Sequence, residues 1–277
     1  MIATVSGLFV YPLKSARGIE KTRVRLTATG FEWDRQWMLV NASGMFLSQR
    51  THLQLARIVP EIKEGALFLS APNLPVVRVP PNERGAAVPV RVHRDACVGL
   101  LQDSVPSDWL LNAVGEPARL VRVPPENERT ANPAFAGPVP APMGFADGYP
   151  ILVCNEASLA DLNKRMPEAV PMERFRPNIV LSGLPAWAED EVNTLTIGEV
   201  TLRLVKPCTR CTIPSVDQKT GQASTNPVPV LRVFRFDKAL LGVTFGENAV
   251  IVTGIGKEIE RGAECRLTFT STRTQLA

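Results

Sequence analysis

The segment with the clearest chemical potential is a cysteine-containing stretch from Lys206 to Gly221. Cys208 and Cys211 are spaced as Cys-x-x-Cys, with Arg210 between them and Asp217 a few residues further on. The stretch directly follows a predicted strand and contains two prolines. It is therefore predicted to be a structured loop at a strand end, where functional residues tend to lie.

Four interpretations of the two cysteines compete. Structural zinc needs four ligands, and no second cysteine pair follows. A thioredoxin-like pair would begin a helix, whereas a proline and a turn follow Cys211. The other two interpretations are small buried residues in a tight turn, or a single thiolate that binds a soft metal, with Arg210 favouring the thiolate and Asp217 near enough to act as an acid or base. Spacing alone does not choose between these last two.

The elements that must position this loop are mainly β, with a few helices. Short apolar strands with proline and glycine punctuation predict a barrel or sandwich rather than a doubly wound sheet. A helix is expected from Ser107 to about Gly115, and a second helix is expected after an Asn155 cap. The proline-, alanine- and glycine-rich stretch 124–150 has no periodic apolar face and is expected to be a long loop.

Composition limits the class of protein. The chain has 277 residues, of which 45% are hydrophobic and 21% charged, as in an ordinary soluble globular protein with one large or two medium domains. No signal peptide or apolar run of the roughly 20 residues that span a membrane is evident, so a cytoplasmic location without membrane association is expected. Five cysteines are too few for a disulfide framework, and two histidines argue against imidazole-rich metal sites.

The net charge of +4 suits an anionic small ligand. Lysine and arginine are scattered along the chain, which argues against nucleic acid.

Four stretches together resemble one protein family. The run 206–221 is similar to the signature of MOSC-domain proteins, in the branch that includes the mitochondrial amidoxime-reducing component and its bacterial YcbX-like relatives. Residues 11–15 with Gly18, residues 34–40 and residues 173–180 resemble further motifs of that branch, in the same order. The resemblance covers nearly the whole chain and is far more specific than a lone Cys-x-x-Cys.

The resemblance implies a fold and a cofactor. Residues 1–120 would form an N-terminal β-barrel-like domain and residues 121–277 the MOSC β-barrel, with a molybdopterin-type molybdenum cofactor between them. Cys211 corresponds to the protein ligand of molybdenum and so to a catalytic residue, whereas Cys208 is expected to be structural. The run 245–248 is similar to a common MOSC run and is expected to form a turn. The cofactor is expected to contact the following residues: Lys14, Ser15, Arg35, Ser158, Arg176, Asn178 and Arg210.

Ser158 lies at a predicted helix start, where donors can hold an oxyanion, although helix capping explains it equally well. MOSC proteins are also linked with pyridoxal phosphate binding, which we set second to the molybdenum cofactor.

The implied activity is that of a molybdenum-dependent oxidoreductase that reduces N-hydroxylated or N-oxygenated small molecules. Asp217 is the expected proton shuttle. The chain lacks the cysteine set of a ferredoxin-like domain, so electrons are expected from a separate reductase or ferredoxin. Two rival functions stay open, namely a sulfur carrier with a persulfide on Cys211, and a non-catalytic module that binds an anion or a pterin.

Overall fold

A computed structural model describes residues 2–270 of the chain. The strands of its first half are β1 (Ile2–Val10), β2 (Ile19–Lys21), β3 (Arg23–Thr27), β4 (Gly30–Phe31), β5 (Trp37–Val40), β6 (Val59–Lys63), β7 (Ala66–Ser70), β8 (Val77–Val79), β9 (Ala87–Val92), β10 (Asp95–Leu101) and β11 (Arg119–Arg122). Those of the second half are β12 (Ile151–Asn155), β13 (Ile179–Ser182), β14 (Val192–Ile197), β15 (Val200–Thr209), β16 (Phe236–Asp237), β17 (Gly242–Thr253), β18 (Glu258–Glu260) and β19 (Glu264–Phe269).

Helices are few and short. The α-helices are α1 (Ser107–Val114), α2 (Pro133–Ala136), α3 (Glu156–Asn163) and α4 (Val228–Phe234). Single 3-10 turns cover Leu53–Arg57, Met172–Phe175, Ala188–Glu191 and Ile213–Ser215. The mainly β class with a few helices is thereby confirmed.

The larger of the two β units is a barrel. Its strands follow the order β12-β13-β1-β19-β14-β15-β17, and the pairing of β17 with β12 closes a ring of seven strands. All neighbouring strands are antiparallel except β12 and β13. Fully buried aliphatic side chains fill the interior, among them Val5, Leu8, Leu181, Leu195 and Leu202. The expected MOSC-type barrel is therefore present.

The first strand belongs to this barrel rather than to the smaller unit. β1 pairs with β13 and β19, and β3 pairs with β18. The expected first domain, residues 1–120, therefore shares strand pairings with the rest of the chain: β1 is a strand of the larger barrel, and β3 and β4 form a small sheet with β18. The chain then leaves the barrel at β5.

The smaller unit combines two sheets and one helix. One sheet has the order β5-β11-β10-β9, and the other has the order β6-β7-β8. Helix α1 packs Trp109 and Leu110 into a core with Trp37, Leu55 and Leu67. The helix lies where it was predicted, and it ends at Gly115, whose φ of 88° is the left-handed conformation that glycine adopts at low cost.

The stretch 124–150 connects the two units. Apart from the four-residue helix α2 it is irregular, as predicted. It is nevertheless anchored, because Arg129 donates hydrogen bonds to the carbonyls of Gly144 and Ala146 and pairs with Asp95. Its last residues are thus held against the junction of the two units, where the candidate site lies.

Candidate functional site

A cleft of about 290 Å³ lies between the two units. Six of its lining residues are lysine or arginine, and one is a carboxylate, Asp147. The cations are Lys14, Arg35, Arg50, Arg176, Lys206 and Arg210. Such a lining attracts an anionic ligand strongly, since one carboxylate cannot balance six cations.

Most of the site residues predicted from the sequence converge here. The lining includes seven of them: Lys14, Ser15, Arg35, Arg176, Asn178, Arg210 and Cys211. They come from motifs that are far apart in the chain, on both β units. Asp217 and Ser158 are not among the lining residues.

Three of the converging residues have an unusual backbone. Ser15, Arg35 and Arg176 have φ angles of 67°, 47° and 56°, in the left-handed region that non-glycine residues rarely adopt. Non-glycine residues persist there only where the surrounding structure enforces the conformation, and such positions cluster at functional sites. Six other non-glycine residues within 2–270 share this conformation, and these three are the ones that line the cleft.

Tyr11 is the platform beneath two of the cations. The guanidinium carbons of Arg35 and Arg176 each lie 4.3 Å from the centre of its ring. The tyrosine is 1% exposed, and its hydroxyl donates to the carbonyl of Pro177 at 3.1 Å. Gly18 packs so tightly on the ring that a Cβ there would lie 2.5 Å from Tyr11 Cε1. This contact explains why a glycine follows the tyrosine at this spacing in the motif formed by residues 11–15 and Gly18.

A buried carboxylate fixes Arg35. Asp34 accepts hydrogen bonds from Arg35 Nη1 at 2.6 Å and from the backbone N–H of Tyr11 at 2.8 Å. Burial raises the pKa of Asp34, and the adjacent Arg35 opposes that shift. Arg35 also donates to Asn178 Oδ1 at 3.1 Å, which in turn accepts from the backbone N–H of Leu152. The two motifs of residues 34–40 and residues 173–180 therefore meet in one hydrogen-bond network.

Arg176 is positioned by amide side chains. Its Nη1 donates to Gln218 Oε1 at 3.2 Å, and Gln218 exchanges hydrogen bonds with Gln49. Gln49 also donates to the carbonyl of Ser15 at 2.7 Å. Burial lowers the pKa of Arg176 to about 10. Because Arg176 has no ion-pair partner among residues 2–270, it can offer its charge to a ligand.

Lys14 and Arg50 share the carboxylate of Asp147. Lys14 Nζ hydrogen-bonds Asp147 Oδ1 and donates to the carbonyl of Phe145 at 2.8 Å, while Arg50 Nη2 lies 3.2 Å from Asp147 Oδ2. Enclosure alone would raise the pKa of Asp147, but Lys14, His93 and Arg50 outweigh it and hold that pKa well below its usual range. Burial lowers the pKa of Lys14, against the opposing pull of Asp147. The pair is thus a fixed charge cluster in the cleft wall.

The two cysteines have different cationic neighbours. Arg50 lines the cleft with Cys211 and interacts with it electrostatically. Arg210 instead donates to Cys208 Sγ at 3.0 Å and to the carbonyl of Phe175 at 2.8 Å. The hydrogen bond of Arg210 is thus to Cys208, while its charge also interacts with Cys211. That Arg210 supports the Cys211 thiolate stays a prediction.

The local backbone explains this separation. Cys208 lies in β15, whereas Cys211 lies beyond the end of the strand. The register between β15 and β17 shifts at Leu204/Lys206 and again at Pro207/Thr209. Such bulges redirect side chains, and they are frequent beside active sites. Lys206, Cys208 and Cys211 all reach the cleft as a result.

The side chains of Asp217 and Ser158 are both hydrogen-bonded to other parts of the protein, Asp217 at the surface and Ser158 in the interior. Asp217 Oδ1 accepts the backbone N–H groups of Lys219 and Thr220 at 2.9 and 2.8 Å, and Oδ2 lies 3.5 Å from Arg174. The hydroxyl of Ser158, fully buried, donates to Glu189 at 2.7 Å and accepts the N–H of Trp187. The expectation that Ser158 contacts the cofactor needs correction, because this side chain does not reach the cleft. The start of α3 is capped by Asn155, as predicted.

The side chains of the cleft fit a bound molecule that itself supplies most of the ligands of a metal ion. Among residues 2–270, no three His, Cys, Asp or Glu side chains converge as a metal site. An ion at Cys211 would therefore need further ligands from a bound molecule. A molybdopterin supplies dithiolene sulfurs and a phosphate, and the cationic wall matches that phosphate. The residues present fit the group.

Several lining residues were missed by the sequence reasoning. Arg50, Asp147, Lys206, Tyr149 and Asn248 also face the cleft. Arg50 lacks a distinctive local pattern, whereas Lys206 begins the cysteine-containing run 206–221 itself. Asp147 and Tyr149 lie at the end of the irregular stretch, just before the buried strand β12, and that position at a strand edge was the available signal.

The fold and the cleft together define a two-unit β protein with a cationic, thiol-containing ligand site. The sequence matches the MOSC N-terminal beta barrel domain over residues 2–117 and the MOSC domain over residues 140–266. Mitochondrial amidoxime-reducing component 1 of Mus musculus is 31% identical over 257 residues, which are 87% of this chain and 75% of that protein. The Homo sapiens protein of the same name is 32% identical over 84% of this chain and 72% of its own length.

The chain therefore belongs to the MOSC-domain family that includes the mitochondrial amidoxime-reducing components. The molybdenum cofactor sulfurase of Danio rerio is also similar, at 29% identity over 87% of this chain, although the match spans 31% of that longer protein. Within residues 2–270, no helix is both long and apolar enough to cross a membrane.

Proposed function

We propose that this protein is a molybdenum cofactor-dependent oxidoreductase that reduces N-hydroxylated small molecules. The observation that carries the proposal is the convergence of Lys14, Arg35, Arg176 and Cys211 on one cationic cleft. Amidoxime reduction is in the names of two relatives that match most of the chain. Neither rival function requires all four side chains together.

The residues divide into three roles. Cys211 would be the protein ligand of the metal, with the positive charge of Arg50 nearby in the cleft wall. Arg176 and Asn178 would hold the pterin, and Lys14, Ser15 and Arg35 the phosphate side of the cofactor. When bound, the cofactor would supply the two-electron chemistry, while the chain orients it and excludes water.

Electrons would come from a separate redox protein, a reductase or a ferredoxin. Two protons must also reach the substrate for each N–O bond that is cleaved. Asp217 as the proton shuttle stays a prediction, although the carboxylate is bound by its own loop.

The test is substrate turnover by metal-loaded protein. Purified protein from a host that makes the cofactor is mixed with benzamidoxime and reduced methyl viologen, and benzamidine is quantified. We expect turnover by the wild type and a loss of at least about a hundredfold in Cys211→Ala, because the metal would lose its protein ligand. Turnover that is unchanged by Cys211→Ala would contradict the proposal.

A sulfur-carrier function is the second candidate, because the chain is also similar to a molybdenum cofactor sulfurase. In that case Cys211 would carry a persulfide. The purified protein would then release thiocyanate when treated with cyanide, and it would contain no molybdenum. The oxidoreductase proposal expects molybdenum without cyanide-labile sulfur on Cys211.

A further inference from the structure

One wall of the cleft is built from three neighbouring barrel strands. Lys206 on β15 and Leu152 on β12 both pair directly with Asn248 on β17. Residues directly opposite each other on neighbouring strands present their side chains on the same face of a sheet, and all three line the cleft. Tyr149, just before β12, lines it as well. This barrel wall, formed by these four residues, contains none of the side chains that the proposed function gives to the cofactor.

Tyr149 carries a hydroxyl that the fold itself does not use. Its oxygen is buried and has no hydrogen-bond partner among residues 2–270. The ring packs against a small cluster that includes Ala136 and Val250. Buried hydroxyls are usually hydrogen-bonded, and an unpaired one is costly. Burial, together with the nearby Cys208, raises the pKa of Tyr149 to about 12, so the hydroxyl keeps its proton at neutral pH and can donate a hydrogen bond to a ligand.

Lys206 adds a positive charge to the same wall. Its ammonium lies 4.7 Å from the ring centre of Phe135 on α2. That helix is fixed beside β15, because Arg203 donates a hydrogen bond to the carbonyl of Ala136. An aromatic face attracts a cation without occupying its N–H donors in strong hydrogen bonds, so the ammonium is held in place and can still bind an anion.

The barrel wall is also close to the cysteine loop in the chain. Lys206 precedes Cys208 by two residues on β15, and Cys211 lies just beyond the end of that strand. Lys14 and Arg35, by contrast, lie in turns after β1 and β4. Cys211 therefore shares its cleft with two sets of polar side chains from different segments, and the proposed function uses only one set for the cofactor.

We propose that the barrel wall binds the substrate, and that Lys206 and Tyr149 select N-hydroxylated compounds that carry a carboxylate. The proposal rests on the proposed function, in which the N–O group is reduced in this cleft. Lys206 supplies one positive charge and the Tyr149 hydroxyl one hydrogen bond, which together suit a singly charged group with two acceptor oxygens. Leu152 offers an apolar contact to the body of the substrate, while Asn248 donates to the carbonyl of Lys206 at 3.2 Å and supports the strand.

The experiment compares kcat/KM for two substrates of equal shape, 4-carboxybenzamidoxime and its uncharged analogue 4-carbamoylbenzamidoxime. The full, molybdenum-loaded chain is used with reduced methyl viologen as electron source, and the 3-substituted pair is measured in parallel. We expect the wild type to prefer the carboxylate about tenfold in at least one pair, mainly through a lower KM, because the contact is a charge-assisted hydrogen bond.

Two variants should remove this preference. In Lys206→Met the ratio of the two kcat/KM values should fall to near one, because the charge is lost while the length of the side chain is kept. In Tyr149→Phe the ratio should fall severalfold. The unfolding temperature of Tyr149→Phe should not decrease, because the deleted hydroxyl has no partner in the fold.

Lys219→Met is the matched control. Lys219 is an exposed lysine of the run 206–221 that does not line the cleft. Its removal changes the net charge of the protein by the same amount as Lys206→Met. The variant should keep the wild-type ratio, which separates a direct contact with the carboxylate from the attraction of a positively charged protein.

Three results would overturn the proposal. One is a wild-type ratio near one in both substrate pairs, and another is a ratio that Lys206→Met leaves unchanged. The third is loss of molybdenum from Lys206→Met or Tyr149→Phe, which would assign these side chains to the cofactor instead. Wild-type protein that carries molybdenum and reduces none of the four amidoximes would contradict the proposed function as well, whereas turnover without the preference contradicts only the role of the barrel wall.

Discussion

Arg50 and Cys211 line the same cleft and interact electrostatically, although the two residues belong to different β units. The same guanidinium lies 3.2 Å from Asp147, so one cation joins the cysteine loop to the end of the irregular stretch 124–150. Burial would lower the pKa of Arg50, but Asp147 and Cys211 outweigh it and raise that pKa. The guanidinium therefore stays charged in the cleft wall that Asp147 and Cys211 share.

Replacing Arg50 should weaken metal retention without unfolding the protein. In Arg50→Met the sulfur of Cys211 loses a cationic neighbour, and we expect metal affinity to fall about tenfold or more, as for other groups that support a metal ligand. Arg50→Lys keeps the positive charge but lacks the paired N–H donors of a guanidinium. Its metal affinity should therefore lie between those of the wild type and Arg50→Met. The measurement is molybdenum retained after dialysis against a chelator.

Arg78→Met is the control for this comparison, because Arg78 is exposed on β8 and does not line the cleft. It should retain the wild-type amount. Equal retention by Arg50→Met would mean that this guanidinium does not support the metal ligand.

Asp217 should act on stability through its loop. Hydrogen bonds from Thr220 and Lys219 lower its pKa. A depressed carboxyl pKa stabilises the folded state above the unfolded pKa of about 3.9, and the contribution is lost as the pH falls through the lower folded value. Asp217→Asn should therefore lower the free energy of unfolding by about 1 kcal/mol at pH 7 and show a weaker loss of stability below pH 4 than the wild type.

Chemical denaturation at a series of pH values measures this effect. The same variant tests the shuttle prediction. If turnover of Asp217→Asn collapses while its stability is unchanged, the carboxylate moves protons rather than holding the loop.

Gly246 is required by the barrel wall. Its φ is 75°, and a Cβ would lie 2.6 Å from Cys154 Sγ and 2.8 Å from the carbonyl of Val153. Gly246→Ala should destabilise the protein by about 2–4 kcal/mol, the sum of left-handed strain and overpacking. Gly198→Ala has a φ of 55° and open space around it, so it should cost about 1 kcal/mol. Thermal unfolding of both variants checks the difference, and equal losses would show that the contact with Cys154 is unimportant.

Local patterns predicted the strands well, because alternation and turn residues are local signals. The helix caps Asn155 and Gly115 could be predicted for the same reason, and both are caps in the structure. The run 245–248 was expected to form a turn, but it lies within β17, and its glycine is explained by close packing. Nothing near Arg50 in the sequence points to Cys211, since their interaction depends on how the two units meet.

Ser158 is a residue whose role the local sequence pattern leaves undecided. A serine at a helix start is compatible with anion binding and with internal capping, and the sequence does not reveal a buried Glu189 that takes the hydroxyl. The placement of β1 in the larger barrel was equally invisible, because strand pairing across the whole chain leaves no local pattern.

The most direct test of the central claim is the molybdenum content of purified protein from a host that makes the cofactor, for the wild type, Cys211→Ala and Cys208→Ala. The account predicts nearly one molybdenum per wild-type chain, a sharp loss in Cys211→Ala, and retention in Cys208→Ala, whose sulfur faces Arg210. Wild-type protein without molybdenum, from cells whose other molybdoenzymes are loaded, would contradict it, as would a loss confined to Cys208→Ala.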